Sequence, residues 1–309
     1  MATGSKRVVL AALAGNLGVA IAKLIAGAMS GSSAMLTEAV HSLVDTGDQA
    51  LLLVGQARSK RAADASHPLG YGMEAYFWSF IVALMVFLLG GVVGVYEGIR
   101  HVLQPVPITA PWLGLGVLAV AALIEGWSLR VGLREYRRVV RGRDVGLWAF
   151  IRGSKDPAVF SVILEDSAAM VGLGLAALGI VGSRFLAIPW ADGVASICIG
   201  LLLVGVALVL ANETRSLIAG ESVSPPVMEK LRASLAAEDR IAEVTEIATL
   251  QLGPGAILVA LTLRFAATCD ASAVGEAVQA ITVALRGVDD RIAYVYVRPM
   301  PSPSPGQDP

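Results

Sequence analysis

The chain has 309 residues, is 55% hydrophobic and only 16% charged, and carries a formal net charge of −1 at neutral pH. Soluble domains carry about 25% charged residues, so this composition excludes an ordinary soluble globule and points to a membrane protein. The charge is split, +3 over residues 1–212 and −4 over 213–309, with no dense basic face, which argues against a nucleic-acid partner. Cys198 and Cys269 have no CxxC neighbour, so neither a disulfide framework nor a thiolate metal site is expected.

Lys6 and Arg7 precede an apolar run from Val8 to about Met29. It is too long for a signal-peptide core and reads as a retained first helix. Six segments approach the ~20 apolar residues needed to cross a bilayer: 8–29, 34–55, 75–99, 112–133, 158–182 and 190–211. The short turn Ser30–Ser33 makes the first two a tight hairpin. With the N-terminus in the cytoplasm, the inner segments hold 12 Lys/Arg and the outer ones two, Arg100 and Arg184. The excess of positive charge inside predicts that both termini are cytoplasmic, in a multi-pass protein of the cell's inner or plasma membrane.

The pattern changes after Asn212. An amphipathic run follows Pro225 and Pro226, and two β-rich runs, 242–252 and 256–266, are joined by Gly253-Pro254-Gly255. Residues 271–286 repeat apolar positions with helical spacing, and 291–298 alternate as a third strand. The expected fold is an α-helical membrane protein, six spans over 1–212, with a cytoplasmic α+β domain (α-β-β-α-β) over 213–298. The Pro/Ser-rich tail 299–309 reads as disordered.

The most informative stretch is Glu38–Asp48, EAVHSLVDTGD, inside an otherwise apolar segment. Glu38, His41, Asp45 and Asp48 are spaced 3, 4 and 3 apart, which puts them on one stripe of a helix. Ionisable groups at membrane depth are costly and imply a metal or a proton path. His41 and Asp45, one turn apart, can ligate one cation from the same side, and imidazole with carboxylates suits Zn²⁺ and neighbouring divalents. Glu165 and Asp166 interrupt the fifth span. Adjacent residues point about 100° apart, so one of the two is expected to face the His41/Asp45 pair. The plainer alternative places both at a wet helix end.

Other charges read as structural. Asp192 is placed to cap the sixth span, Glu97 and Arg100 to pair near a span end, and Glu125 to pair with Lys23, Arg130 or the site. Gly90, Gly94 and Gly98 have the spacing of close helix packing. In the loop, Asp64 and His67 are either a shallow second metal site or part of a turn shaped by Pro68 and two glycines. Asp48 is a weaker candidate ligand.

In combination these features resemble the cation diffusion facilitator family. The resemblance rests on Asn16, Lys23 and Gly31-Ser32-Ser33, then EAVHSLVD (38–45), HPLGYG (67–72), the marked fifth span and the α-β-β-α-β domain. Asp156–Ala169 and Glu125-Gly126 are similar to the branch that includes a mitochondrial zinc exporter. The resemblance implies a homodimeric proton-coupled exporter of Zn²⁺ or a related divalent cation, with the cation as cargo and no cofactor. It implies His41, Asp45 and Asp166 as ligands and proton carriers. The histidine usual in the fifth span is Val162 here, so Glu165, Asp48 or water must complete the shell. Alternatives are a preference for Mn²⁺, Fe²⁺ or Co²⁺, or a membrane scaffold that binds metal without moving it. No nucleophile–base arrangement or phosphate loop suggests an enzyme.

Overall fold

The computed structural model describes residues 3–140 and 146–300, with side chains from Asn16 onward except those of Val139 and Ala158. Arg141, Arg143, the side chains of Lys6 and Arg7, and the segment 301–309 lie outside the described residues.

The element order is α1 (Thr3–Ser30), α2 (Ser33–Ser59), α3 (Glu74–Met85), a π-helical stretch (Val86–Val92), α4 (Val93–Leu103), α5 (Pro111–Val139), α6 (Leu147–Gly153), α7 (Pro157–Arg184) and α8 (Ala191–Gly220). The α+β part follows as α9 (Pro225–Ala236), β1 (Ile241–Gly253), β2 (Ala256–Phe265), α10 (Ala271–Val288) and β3 (Ile292–Met300). Helices are present over all six expected spans. Among the described residues, four segments are long and apolar enough to cross a membrane: Glu74–Leu103, Pro111–Arg138, Val159–Arg184 and the helical stretch beginning at Ala191. In α2 the polar stripe depresses hydropathy, and the described part of α1, Asn16–Ser30, is a shorter apolar helix.

Three boundaries differ from expectation. The last long helix runs to Gly220 rather than ending near 212. A short helix, α6, lies in the arginine-rich connection 134–157 expected between the fourth and fifth spans, where Phe150 and Ile151 turn inward against Phe160 and Ile163. The third strand includes Pro299 and Met300, two residues beyond the expected end at 298. Pro299 is tolerated because β3 is an edge strand, bonded among the described strands to β2 alone.

The chain divides into two compact units. One holds the residues up to Ala57 together with Ala75–Arg215, and the other holds Arg58–Glu74 together with the residues from Ser216 onward. The first has its core around Met35, Val44, Val82, Val86, Ile180, Ile199 and Leu203. The glycines of the third span pack against α8. A Cβ on Gly94 would lie 3.2 Å from Gly200 Cα, and one on Gly98 would lie 2.7 Å from the Gly193 carbonyl oxygen. Only glycine permits that approach. In the second unit, β1 and β2 form an antiparallel hairpin and β3 adds to β2 in parallel. The parallel pair needs a crossover, which α10 supplies. Leu231 and Leu235 of α9 and Ala277, Ile281 and Leu285 of α10 bury against the inward residues of β2.

Candidate metal centre

The site is built on α1, α2, α5 and α7. Along α2, Glu38, His41 and Asp48 are buried and Asp45 is half-buried, so the stripe faces inward as its spacing predicts. The start of α2 is held from across the bundle. Asp192 of α8 accepts from the Ser33 backbone amide at 2.5 Å, Ser33 Oγ at 2.9 Å and the Ala34 amide at 3.3 Å, and also from Ser32 Oγ. Asp192 therefore caps α2, where the free amides and the positive end of the helix dipole attract a carboxylate. Its expected role as a cap of its own helix is replaced by this contact.

His41 Nδ1 lies 3.2 Å from Asp45 Oδ1, close in distance but without hydrogen-bond alignment. Asp45, Asp48 and Glu165 form a group of three carboxylates with ligand atoms within 4.8 Å of one another. Oxygens sharing one cation at about 2.0–2.2 Å are at most about 4.4 Å apart, so this spacing is of the order that a shared cation requires. Both Asp48 oxygens, Asp45 Oδ1 and Glu165 Oε1 are buried with no hydrogen-bond partner among the described residues. Such atoms are rare in a native structure and call for a ligand, a proton or water. Several carboxylates at this spacing repel one another unless a cation or protons neutralise them.

The two adjacent acids of α7 take different directions. Glu165 joins Asp45 and Asp48, while Asp166 accepts from Ser128 Oγ of α5 at 2.7 Å. Both line one small polar pocket with Asp45, Ser42, Glu125 and Val162. Asn16 and Gln49 also line it and bond each other, Nδ2 to Oε1, at 3.1 Å. Sequence reasoning did not single out Ser42, Gln49 or Ser128 as parts of the site. The signal was helical spacing: Ser42 is four residues after Glu38, Gln49 four after Asp45 and Ser128 three after Glu125.

The loop pair behaves differently. Asp64 Oδ1 accepts from the Ser66 amide, Ser66 Oγ and the His67 amide at 2.7–2.9 Å, and Oδ2 accepts from Tyr71 Oη at 2.6 Å. Those bonds, that from Tyr71 foremost, hold the Asp64 carboxyl well below its ordinary range. His67 stacks on the Tyr71 ring at 4.1 Å, and Gly70 takes a positive φ of 83°. Asp64 is thus occupied in building a turn, with His67 Nδ1 3.7 Å away. Near the end of α4, Glu97 lies 3.7 Å from Arg100, as expected, and 3.9 Å from His101.

A family model for the cation efflux transmembrane domain matches residues 9–219, which include every residue of this pocket. The chain belongs to the cation efflux family, the cation diffusion facilitators. It is 31% identical over 231 residues to the mitochondrial proton-coupled zinc antiporter SLC30A9 of Xenopus laevis, covering 75% of this chain and 41% of that protein. Metal tolerance protein C4 of Arabidopsis thaliana is 32% identical over 266 residues, 86% of this chain and 57% of that one. Magnetosome protein MamM of Magnetospirillum gryphiswaldense is 28% identical over 214 residues, 68% of this chain and 62% of that one. The chain spans about half the length of the curated relatives it matches first. This cation efflux protein is accordingly a membrane protein.

Proposed function

We propose that the protein is a secondary active exporter that moves divalent metal cations, Zn²⁺ foremost, in exchange for protons by alternating access. The observation that carries this reading is the convergence of buried carboxylate oxygens from Asp45, Asp48 and Glu165 to within 4.8 Å of one another, unpartnered among the described residues. His41 adds a nitrogen donor beside Asp45, and Asp166 a further carboxylate on the pocket wall. A ligand must be deprotonated to bind metal, so loading releases protons and reprotonation expels the cation. Carboxylates compensate the cation's charge where water is scarce. In this reading the six long helices all cross the membrane, both termini are cytoplasmic, and the α+β unit joins two copies as a homodimer. The cation is cargo, no cofactor is needed and no enzymatic step occurs. Asp64 and His67 shape a turn rather than a second metal site.

Zn²⁺ as cargo is supported by what the relatives SLC30A9 and C4 are named for, zinc antiport and metal tolerance. A second reading keeps the transporter and changes the metal. The trio is all oxygen, and Val162 stands where α7 could offer imidazole, which favours Mn²⁺, Fe²⁺ or Co²⁺. The test is uptake into proteoliposomes with and without an opposing pH gradient, with Zn²⁺, Mn²⁺, Fe²⁺ and Co²⁺ in competition. Gradient-driven Zn²⁺ flux lost in Asp45→Ala and in Asp166→Ala supports the first reading. Flux with Mn²⁺ or Fe²⁺ ranked above Zn²⁺ supports the second. Saturable binding without flux under a gradient would leave a metal-binding scaffold instead, and unchanged flux in both variants would remove the site assignment.

A further inference from the structure

Behind two residues of the pocket wall, Ser42 and Glu125, lies a cation that the chain itself supplies. Lys23 of α1 has no solvent exposure. Its ammonium donates to Ser42 Oγ at 2.6 Å and to Glu38 Oε2 at 3.3 Å, and lies 3.6 Å from Glu125 Oε1. The group thus ties α1 to α2 and α5. A buried ammonium is costly unless paired, and Glu38, itself fully buried, would satisfy that need alone. Glu125 is different, because it lines the pocket, as does Ser42, together with Asp45, Glu165 and Asp166. The lysine therefore shares its charge with a carboxylate that looks into the cation's own space.

We propose that Lys23 is a fixed counter-charge for the cation pocket, a positioning residue that keeps Glu38 and Glu125 engaged and holds affinity for a divalent cation low enough for release. This rests on the reading of the pocket as a cation site. The physical reason is that charge interactions in a partly dry interior act beyond contact distance. The ammonium repels an incoming dication and occupies carboxylates that would otherwise join its shell. Removing Lys23 leaves Glu38 and Glu125 uncompensated, so the pocket attracts a dication more strongly. Removing the Glu125 charge while Lys23 stays leaves more positive charge at the wall, so the pocket attracts a dication less. A lysine that only packs three helices together would predict weaker binding in both cases.

The experiment compares full-length wild type, Lys23→Met, Glu125→Gln and the double variant. Zn²⁺ binding is read by calorimetry in detergent, Zn²⁺ flux in proteoliposomes, and folding by thermal unfolding without metal. Lys23→Met is expected to bind Zn²⁺ on the order of tenfold more tightly with a lower maximal flux, and Glu125→Gln on the order of tenfold more weakly. The double variant is expected to return to within about threefold of wild type, because the lost positive and the lost negative charge offset each other at the pocket. If Lys23→Met does not fold, the other two decide, and the double must bind more tightly than Glu125→Gln. A folded Lys23→Met that binds no more tightly than wild type overturns the proposal, as does a double variant no tighter than Glu125→Gln. Wild type that binds neither Zn²⁺ nor Mn²⁺ overturns both this and the cation-pocket reading. Wild type that binds while the Lys23 variants fail these signs overturns the counter-charge alone.

Discussion

Asp166 and Glu165 illustrate what a single position can and cannot disclose. Their presence in an apolar span marked them as functional, but their division of labour depends on how α7 is rotated. Packing sets that rotation: Ser128 on α5 claims Asp166, and Glu165 is left to meet Asp45 and Asp48 on α2. The α2 stripe was legible because spacing alone defines a helix face. Asp192 was misread because its partner is 159 residues away at Ser33, beyond the reach of local spacing. Two outcomes are expected at this scale. Ser128→Ala frees Asp166 Oδ2 of its donor and should weaken metal binding about tenfold, since partners that orient ligands are worth roughly that much. Its unfolding temperature should stay near wild type, because one such bond contributes about 1 kcal/mol. Val162→His places an imidazole on the pocket wall and should raise the Zn²⁺-to-Mn²⁺ preference on the order of tenfold, read from competition uptake.

Helix against helix, the glycine ridge of the third span sets the tolerance. Gly98→Val must displace the Gly193 backbone, whose carbonyl oxygen would lie 2.7 Å from the new Cβ. Overpacking of this kind costs about 1–3 kcal/mol, so the apparent melting temperature in detergent should fall clearly. Gly18→Ala is the control, because nothing among the described residues lies within 4 Å of its Cβ position. Removing a helical glycine there should be neutral or stabilising by up to about 1 kcal/mol. Small-residue spacing foretold the ridge. The π-helical turn at Val86–Val92 was not legible, because a continuous apolar run looks the same with four- or five-residue hydrogen bonds. The element order α-β-β-α-β was legible, whereas the strand order and the parallel pairing of β3 with β2 depend on where the crossover helix α10 lays the last strand. The helix α6 was hidden by the arginines around it, which dominated the reading of that stretch as loop.

Over the whole chain, acid should act on the α+β unit late. Asp64, Glu238 and Asp289 are all held below their ordinary values, 3.8 for aspartate and 4.5 for glutamate. For Glu238 and Asp289 the leading cause is a side-chain hydrogen bond from Arg240 and Arg291 respectively. A carboxyl with a depressed folded-state pKa contributes stability that is present above its unfolded value and lost as pH falls through its folded one. Thermal unfolding of the full chain should therefore vary little with these groups above about pH 5 and fall steeply below about pH 4. Asp289→Asn should flatten part of that acid limb, and an unaltered limb would count against the Asp289 contribution. Membrane character was legible from composition alone. The assignment of the 58–74 loop was not, because it depends on contacts with residues nearly 200 positions away.

That loop has a practical corollary. The chain passes between its two units three times, after Ala57, after Glu74 and after Arg215. Gly72 rests backbone to backbone on Gly253, where a Cβ on Gly253 would meet the Gly72 carbonyl carbon at 2.8 Å. No single cut separates the halves cleanly. A fragment starting at Ser216 would lack a strip of its own surface, and a truncation at Arg215 would leave that strip stranded between two helices. Gene fusions or exchanges with relatives should succeed only when both pieces, 58–74 and 216–300, are taken from the same parent.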